Sequence, residues 1–214
     1  MMARPKILTN FFNALSINTL VIFIFSATSL MLATATLADK NAIEYKQLQT
    51  GTLLIATDKL NQSEFHHSVI YITEHNDQGT YGVIINKPTH MTVNEAMPDN
   101  KQLDKPSKLY FGGPMHASFL FVITQDGKHQ DLHKLIDGLY FGAGDKTTIE
   151  INDPQTHPLT RTFIGFSSWG PGQVEKEIES GVWLLAPGTR KDIFDEHPES
   201  LWTKLSRQWS GDWI

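Results

Sequence analysis

Two apolar, β-branched runs joined by a short polar turn constrain the fold of this chain most. The first run is SVIYITEH at 68–75, the second is TYGVIINKP at 80–88, and Asn-Asp-Gln-Gly at 76–79 separates them. Such runs around a short glycine-containing turn predict a β-hairpin, and hence an antiparallel sheet. Pro88 is predicted to end the second strand, because proline cannot donate a hydrogen bond to a neighbouring strand.

Six further segments have the composition of strands, and short helix signals lie among them. The predicted strands are 52–56, 108–114, 119–125, 138–142, 162–168 and 182–187. Helices are predicted near Thr92, which has capping-box spacing to Glu95, then over 171–180, and from Pro198 onward. Because helices are too few and too short for a doubly wound sheet, the pattern predicts one α+β domain over 51–214.

Two finer expectations concern the helices. The terminal helix is predicted to place Leu201, Leu205 and Trp209 on one apolar face, and Pro171 to occupy the first turn of the helix over 171–180. Segment 144–153 stays open, since Asp145 suits a helix N-cap whereas its threonines and isoleucines favour a strand.

The first 38 residues have the layout of a secretory signal peptide. Arg4 and Lys6 form a basic start, an apolar run covers 17–38, and small residues precede Asp39. The run approaches the ~20 apolar residues that span a bilayer, so an uncleaved inner-membrane anchor is the alternative. We expect an exported, periplasmic or membrane-anchored protein in which 39–50 is a polar joint, with membrane contact only through 1–38.

Composition excludes several classes of chemistry. The chain has no cysteine, which rules out disulfides and thiolate catalysis. Its formal net charge is −5, and an acidic domain repels phosphate backbones, which argues against nucleic acid as a partner. His66 and His67 are adjacent and would face opposite sides of a strand, and metal-binding motifs such as H-E-x-x-H are absent. We therefore predict neither metal nor cofactor.

The candidate motifs lie at strand ends. Ser167 sits at a strand-to-helix turn, but Trp169 replaces the second glycine of a nucleophile elbow. The G-G-P at 112–114 lacks the remainder of a phosphate-binding motif. Glu74-His75 and Asn86-Lys87 end two adjacent strands, yet a hairpin would set these pairs about a strand length apart.

These segments, taken in order, resemble the YqgE/AlgH family of bacterial proteins. The resemblance rests on E-H at 74–75, N-K-P at 86–88, G-G-P at 112–114 and W-G-P-G-Q at 169–173, and it covers 51–214. It implies a bifurcated sheet folded into a pseudo-barrel, no established enzymatic activity, and the cytosolic location usual for the family. Members have been called regulators of transcription, although this chain has no helix-turn-helix signal or basic patch.

Two classes of function follow. The first is a non-enzymatic binding or regulatory module that takes a protein or a small anionic ligand, because open N–H groups at a helix start favour anions. Its predicted surface comprises Trp169, Gly172, Gln173, Glu74, His75, Asn86, Lys87, Gly112, Gly113 and Pro114. The alternative is a hydrolase-type enzyme that uses Glu74, His75 and nearby hydroxyls such as Ser167 in a surface cleft, which would require these groups within hydrogen-bond reach.

Overall fold

The computed structural model describes residues 48–99, 106–151 and 159–210, so the predicted leader and most of the polar joint lie outside the described residues. Within these ranges, no helix is both long and apolar enough to cross a bilayer. The described strands are β1 Thr52–Ala56, β2 Val69–Asn76, β3 Gly79–Ile84, β4 Pro88–Thr92, β5 Lys108–Phe111, β6 Met115–Thr124, β7 His133–Ile136, β8 Leu139–Ala143, β9 Thr160–Trp169 and β10 Trp183–Pro187. The described helices are α1 Val93–Ala96, α2 Asp145–Ile151, α3 Gln173–Glu179, α4 Arg190–Ile193 and α5 Pro198–Trp209, with a 3₁₀ turn at Asp58–Leu60.

The strands form one large sheet that branches at β9. Its main path is β10-β1-β2-β3-β9-β6-β8-β7, and every neighbouring pair along it is antiparallel. β5 pairs with β9 in parallel, and β4 pairs only with β5. The expected α+β class and the branched sheet are therefore confirmed.

The predicted pseudo-barrel needs correction, because the sheet is not closed. β10 and β7, at the two ends of the path, do not pair with each other. β7 nevertheless approaches the other side of the sheet, since a Cβ at Gly51, just before β1, would lie 2.9 Å from Cγ2 of Ile136 on β7.

The central strands are buried on both faces, which explains why their sequences are uninterrupted apolar runs. Alternate side chains of β1 enter two different cores, since successive residues of a strand point to opposite faces. The first, which we call the inner core, includes Leu53, Ile55, Val69, Tyr71, Val83, Phe121, Phe163, Phe166, Leu201 and Leu205. The outer core includes Leu54, Ile70, Ile72, Ile84, Trp169, Val174, Ile178 and Trp183.

The helices differ from expectation in two places. α3 begins at Gln173 with Gly172 as its N-cap at φ +71°, so Pro171 precedes the helix rather than filling its first turn. On α5, Leu201 and Leu205 are buried as predicted, but Trp209 is 38% exposed. Trp202 packs against the cores instead, and its indole N–H donates to the carbonyl oxygen of Ala56 at 2.8 Å.

Several strand boundaries differ from those predicted from the sequence. β3 ends at Ile84, and Pro88 opens β4 rather than closing β3, which an edge strand tolerates because one side of its backbone is unpaired. β7 was not predicted at all. The open segment after Gly144 is helical over Asp145–Ile151, since Thr147, Thr148 and Ile151 are buried at helical spacing.

Candidate functional site

The structure separates the predicted site residues into two groups. The first group lies where the tip of the β2–β3 hairpin meets the W-G-P-G-Q turn, because Thr80 pairs with His75 on one side and Trp169 on the other. The contact is close: a Cβ at Gly79 would lie 2.4 Å from the carbonyl oxygen of Trp169. Glu74, His75, Trp169, Gly172 and Gln173 belong to this group.

The second group lies away from the tip, where the end of β3 meets β5. The amide of Ile84 donates to the carbonyl oxygen of Gly112, and that of Phe111 donates to the carbonyl oxygen of Lys87, both at 2.8 Å. These main-chain bonds bring the N-K-P and G-G-P motifs together. Asn86, Lys87, Gly112, Gly113 and Pro114 belong here.

Trp169 does not border an open surface, which corrects the expectation for this residue. It is 5% exposed, and its indole N–H donates to Oε2 of Glu177 at 2.9 Å. The indole of Trp183 donates to the same oxygen at 2.8 Å. The sequence analysis did not identify Glu177, because its position relative to Trp169 and Trp183 does not indicate that both indoles donate to it.

Gln173 is exposed, but its side-chain amide forms hydrogen bonds within the turn and to α3. Its Oε1 accepts from the amide of Gly170 at 3.1 Å, and its Nε2 donates to Oε1 of Glu177 at 3.2 Å. Its own amide donates back to the carbonyl oxygen of Gly170 at 3.1 Å. Gln173 therefore positions the turn.

The amide of Asn86 and the ammonium of Lys87 hold the loop before β2. Oδ1 of Asn86 accepts from the amide of Val69, and its Nδ2 donates to the carbonyl oxygen of His67, both at 2.8 Å. Nζ of Lys87 donates to the carbonyl oxygen of Glu64 at 2.6 Å, and burial lowers the pKa of Lys87. Both side chains satisfy loop carbonyls and amides, which is a structural role.

The two glycines of the G-G-P motif are buried against β9, whereas Pro114 is partly exposed. A Cβ at Gly112 would lie 2.2 Å from the carbonyl oxygen of Gly165, and Gly165 itself has φ +72°. Ser167 is fully buried, and its hydroxyl donates to the carbonyl oxygen of Gly112 at 3.4 Å. These glycines permit close main-chain packing, so Gly112 and Gly113 form no exposed surface.

Glu74 and His75 point to opposite faces of the sheet. Glu74 pairs with Tyr81 beside the inner core, whereas His75 pairs with Thr80 in line with Trp169 of the outer core. Nδ1 of His75 lies 2.8 Å from the hydroxyl of Thr80. The structure therefore does not gather Glu74, His75 and Ser167 into one hydrogen-bonded group.

Comparison with known proteins identifies the family of the chain. A family model described as DUF179, AlgH-like, matches residues 53–214. The chain belongs to the AlgH-like family. A UPF0301 protein of Chlorobaculum parvum is 34% identical over 174 residues, which cover 79% of this chain and 91% of that protein. A UPF0301 protein of Mycobacteroides abscessus is 35% identical, covering 76% of this chain and 80% of that protein.

Two solved structures resemble this AlgH-like fold. A Corynebacterium diphtheriae protein of known crystal structure has a TM-score of 0.65 and 27% identity, covering 80% of this chain and 93% of its own. The solution structure of AlgH from Pseudomonas aeruginosa has a TM-score of 0.64 and 24% identity, covering 76% of this chain and 88% of its own. At 24% identity the second likeness concerns the fold alone.

The tip of this AlgH-like domain presents one continuous exposed patch, which we call the hairpin-tip surface. It consists of Asn76, Asp77, Gln78, Gly170, Pro171, Gly172 and Gln173, all of them exposed. Its single ionisable side chain is the carboxylate of Asp77, and no lysine or arginine belongs to it. The patch is therefore polar and close to neutral.

A ring stack forms a second feature that the sequence did not predict. The imidazoles of His66 and His67 lie 3.6 Å apart between ring centroids, and His67 lies 3.6 Å from the indole of Trp202. His67 has φ +53°, and burial lowers its pKa, with His66 acting in the same direction. The stack joins the loop before β2 to α5, which no local pattern could indicate.

Proposed function

We propose that this AlgH-like domain is a non-enzymatic binding module that contacts a partner protein through the hairpin-tip surface. The proposal rests on the free space around Gly170 and on its backbone conformation. A Cβ at this position would meet nothing closer than Oε1 of Gln173, at 4.0 Å, and φ is outside the left-handed region. Neither packing nor backbone conformation therefore requires glycine at position 170.

A glycine that the fold does not require is explained when another molecule must approach the main chain closely. Gly170 is exposed and lies beside the hairpin tip, with Gly79 packed against its neighbour Trp169. Two chain segments far apart in sequence thus build one surface. A protein partner suits a polar, nearly neutral patch that is built from two segments.

The charge of the patch favours a protein over the small anionic ligand. Asp77 and the nearby Glu74 are acidic, and no basic side chain belongs to the patch to hold an anion. A regulatory role is compatible with partner binding and needs no DNA contact. The hydrolase alternative stays a prediction: His75 contacts the hydroxyl of Thr80, but no hydrogen bond in the described residues joins either group to Glu74 or to Ser167.

Affinity capture from extracts of the native host tests the proposal. The full chain serves as bait in three forms: the natural sequence, Gly170→Ala, and the control Thr203→Ala on the exposed side of α5. A partner captured by the natural chain and by Thr203→Ala should be depleted at least about tenfold on Gly170→Ala, as for a contact of about 1.4 kcal/mol. Equal capture by all three forms contradicts the proposal.

The place of this binding depends on residues 1–38, which lie outside the described residues. Export followed by cleavage near Ala38 is our proposal, on the basic start and apolar run of that segment. Mass spectrometry of the mature N-terminus from a fractionated host decides it. An intact Met1 in the cytosolic fraction would support the cytosolic alternative.

A further inference from the structure

A bulge in β2 redirects the carboxylate of Glu74. Ile72 pairs with Gly82, but the next residue pair in register is Glu74 with Tyr81, so Thr73 is an extra residue. Ile72 faces the outer core. Without the bulge Glu74 would share that face, whereas the extra residue turns it toward the inner core, where Tyr81 packs.

A series of aromatic rings begins at Tyr81, the residue that pairs with Glu74. Tyr81 lies 6.1 Å from Phe166 between ring centroids, and Phe166 lies 5.5 Å from Phe121. Phe121 in turn stacks on Phe141 at 5.7 Å. Tyr81 and Phe141 remain partly exposed, so the set of rings reaches solvent at Tyr81, next to Glu74, and again at Phe141 on β8.

One oxygen of the Glu74 carboxylate accepts a hydrogen bond, and the other does not. Oε1 of Glu74 accepts from the side-chain amide of Asn76 at 2.6 Å. Among the described residues, none donates a hydrogen bond to Oε2. His133 of β7, which pairs with Phe141, lies near enough to lower the pKa of Glu74 without forming an ion pair.

Burial has a larger effect than His133 and raises the pKa of Glu74. Burial disfavours the ionised form of this half-buried carboxylate, and a cation placed beside it would stabilise that form. Flat aromatic faces attract the same cation through their quadrupoles, most strongly where water is partly excluded. A carboxylate oxygen without a donor, beside a partly exposed aromatic ring, is therefore suited to an organic cation.

We propose that Glu74, Tyr81, His133 and Phe141 form a binding site for a small organic ammonium ion, on the inner face of the sheet between β2 and β7. Glu74 supplies the counter-charge through Oε2. The rings of Tyr81 and Phe141 cover the organic part of the ligand. This site faces the inner core and adjoins the hairpin-tip surface through Asn76, whose side-chain amide holds Oε1 of Glu74.

Titration of the full chain with benzylammonium, with benzyl alcohol as the neutral probe of matched shape, tests the proposal. Backbone amide shifts in ¹H–¹⁵N spectra report the position and the affinity of each probe. Benzylammonium should bind saturably at residues 74, 81, 133 and 141, at least about tenfold more tightly than benzyl alcohol. No saturable binding, or equal affinity for the two probes, overturns the proposal.

Two variants separate charge from shape. Glu74→Gln keeps the volume of the side chain and should abolish the preference for benzylammonium while leaving benzyl alcohol binding unchanged. Phe141→Leu should weaken benzylammonium by at least about threefold through loss of a ring face. Glu196→Gln, on an exposed carboxylate, is the matched control and should change neither affinity. Unaltered discrimination in Glu74→Gln overturns the proposal without affecting the proposed partner surface.

Discussion

Trp169 and Trp183 donate their indole N–H groups to one carboxylate oxygen, Oε2 of Glu177, at 2.9 and 2.8 Å. Their rings lie 6.0 Å apart between centroids in an edge-to-face arrangement. Trp169 ends β9, Trp183 begins β10, and Glu177 belongs to the helix between them. One acidic side chain therefore fixes α3 against both strands and shapes the turn that carries Gly170.

Replacing Glu177 should destabilise the domain more than an ordinary surface change. Glu177→Ala leaves two largely buried indole donors without an acceptor, which we expect to cost about 2–3 kcal/mol in the free energy of unfolding. Glu177→Gln retains an oxygen acceptor and should cost about half as much. Urea unfolding followed by tryptophan fluorescence measures both, with Glu196→Ala as the exposed control; equal stability of all three variants would show that the bonds contribute nothing.

The two exposed glycines of the turn should respond differently to alanine. Gly172 has φ +71°, so Gly172→Ala should cost about 1 kcal/mol for placing a Cβ in the left-handed region. Gly170→Ala should stay within about 0.5 kcal/mol of the natural chain, because no backbone or packing conflict arises. Thermal unfolding distinguishes these outcomes, and a large loss at Gly170 would show that the fold does require glycine there.

Arg161 should not be replaceable by lysine. Its buried guanidinium donates to the carbonyl oxygens of Ile85 at 3.1 Å and Asp195 at 2.8 Å, and it lies 4.2 Å from the ring centroid of Tyr110. A lysine ammonium keeps the charge but cannot reproduce this planar set of contacts. Arg161→Lys is therefore expected to lower the free energy of unfolding by about 1–3 kcal/mol, measured by urea denaturation, and an unchanged midpoint would refute this account.

Tyr71 should tolerate loss of its hydroxyl. The side chain is fully buried, and its hydroxyl has no hydrogen-bond partner among the described residues. Tyr71→Phe removes this unsatisfied group and is expected to leave stability unchanged or raise it by up to about 1 kcal/mol. A loss above about 1 kcal/mol would reveal a hydrogen bond to the hydroxyl.

The same residue predicts a pH dependence with a definite sign. Burial raises the pKa of Tyr71 above its ordinary value of 10.0. Above that pH the unfolded chain loses the phenol proton while the folded chain keeps it, so stability falls as pH rises further. Urea midpoints between about pH 8 and pH 11 should fall less in Tyr71→Phe than in the natural chain; parallel falls would contradict the assignment.

Local sequence signals were sufficient for the hairpin and the central strands. Residues 52–56 and 68–75 carry β-branched and apolar side chains on both faces, and the structure buries both faces. The capping box of Thr92 and Glu95 also formed as expected. These features depend on neighbours along the chain, so a local pattern contains the information.

The errors involve contacts between distant segments. Trp169 before a glycine-rich turn suggested an exposed ring, because the sequence does not show that Glu177 accepts its N–H. The face of Glu74 depends on a bulge whose extra residue, Thr73, looks like any strand residue. The role of Asn86 depends on Val69 and His67, which it reaches only once the hairpin has formed.

Site-specific photo-crosslinking in the native host tests the central claim most directly. A photoreactive amino acid placed at Gln78 lies on the hairpin-tip surface, and one placed at Thr203 lies on the exposed side of α5. The account predicts a covalent adduct of one defined mass from position 78, none of that mass from position 203, and loss of the adduct when Gly170→Ala is added. An adduct that forms equally from both positions, or that survives Gly170→Ala undiminished, would contradict the hairpin-tip surface as the partner site.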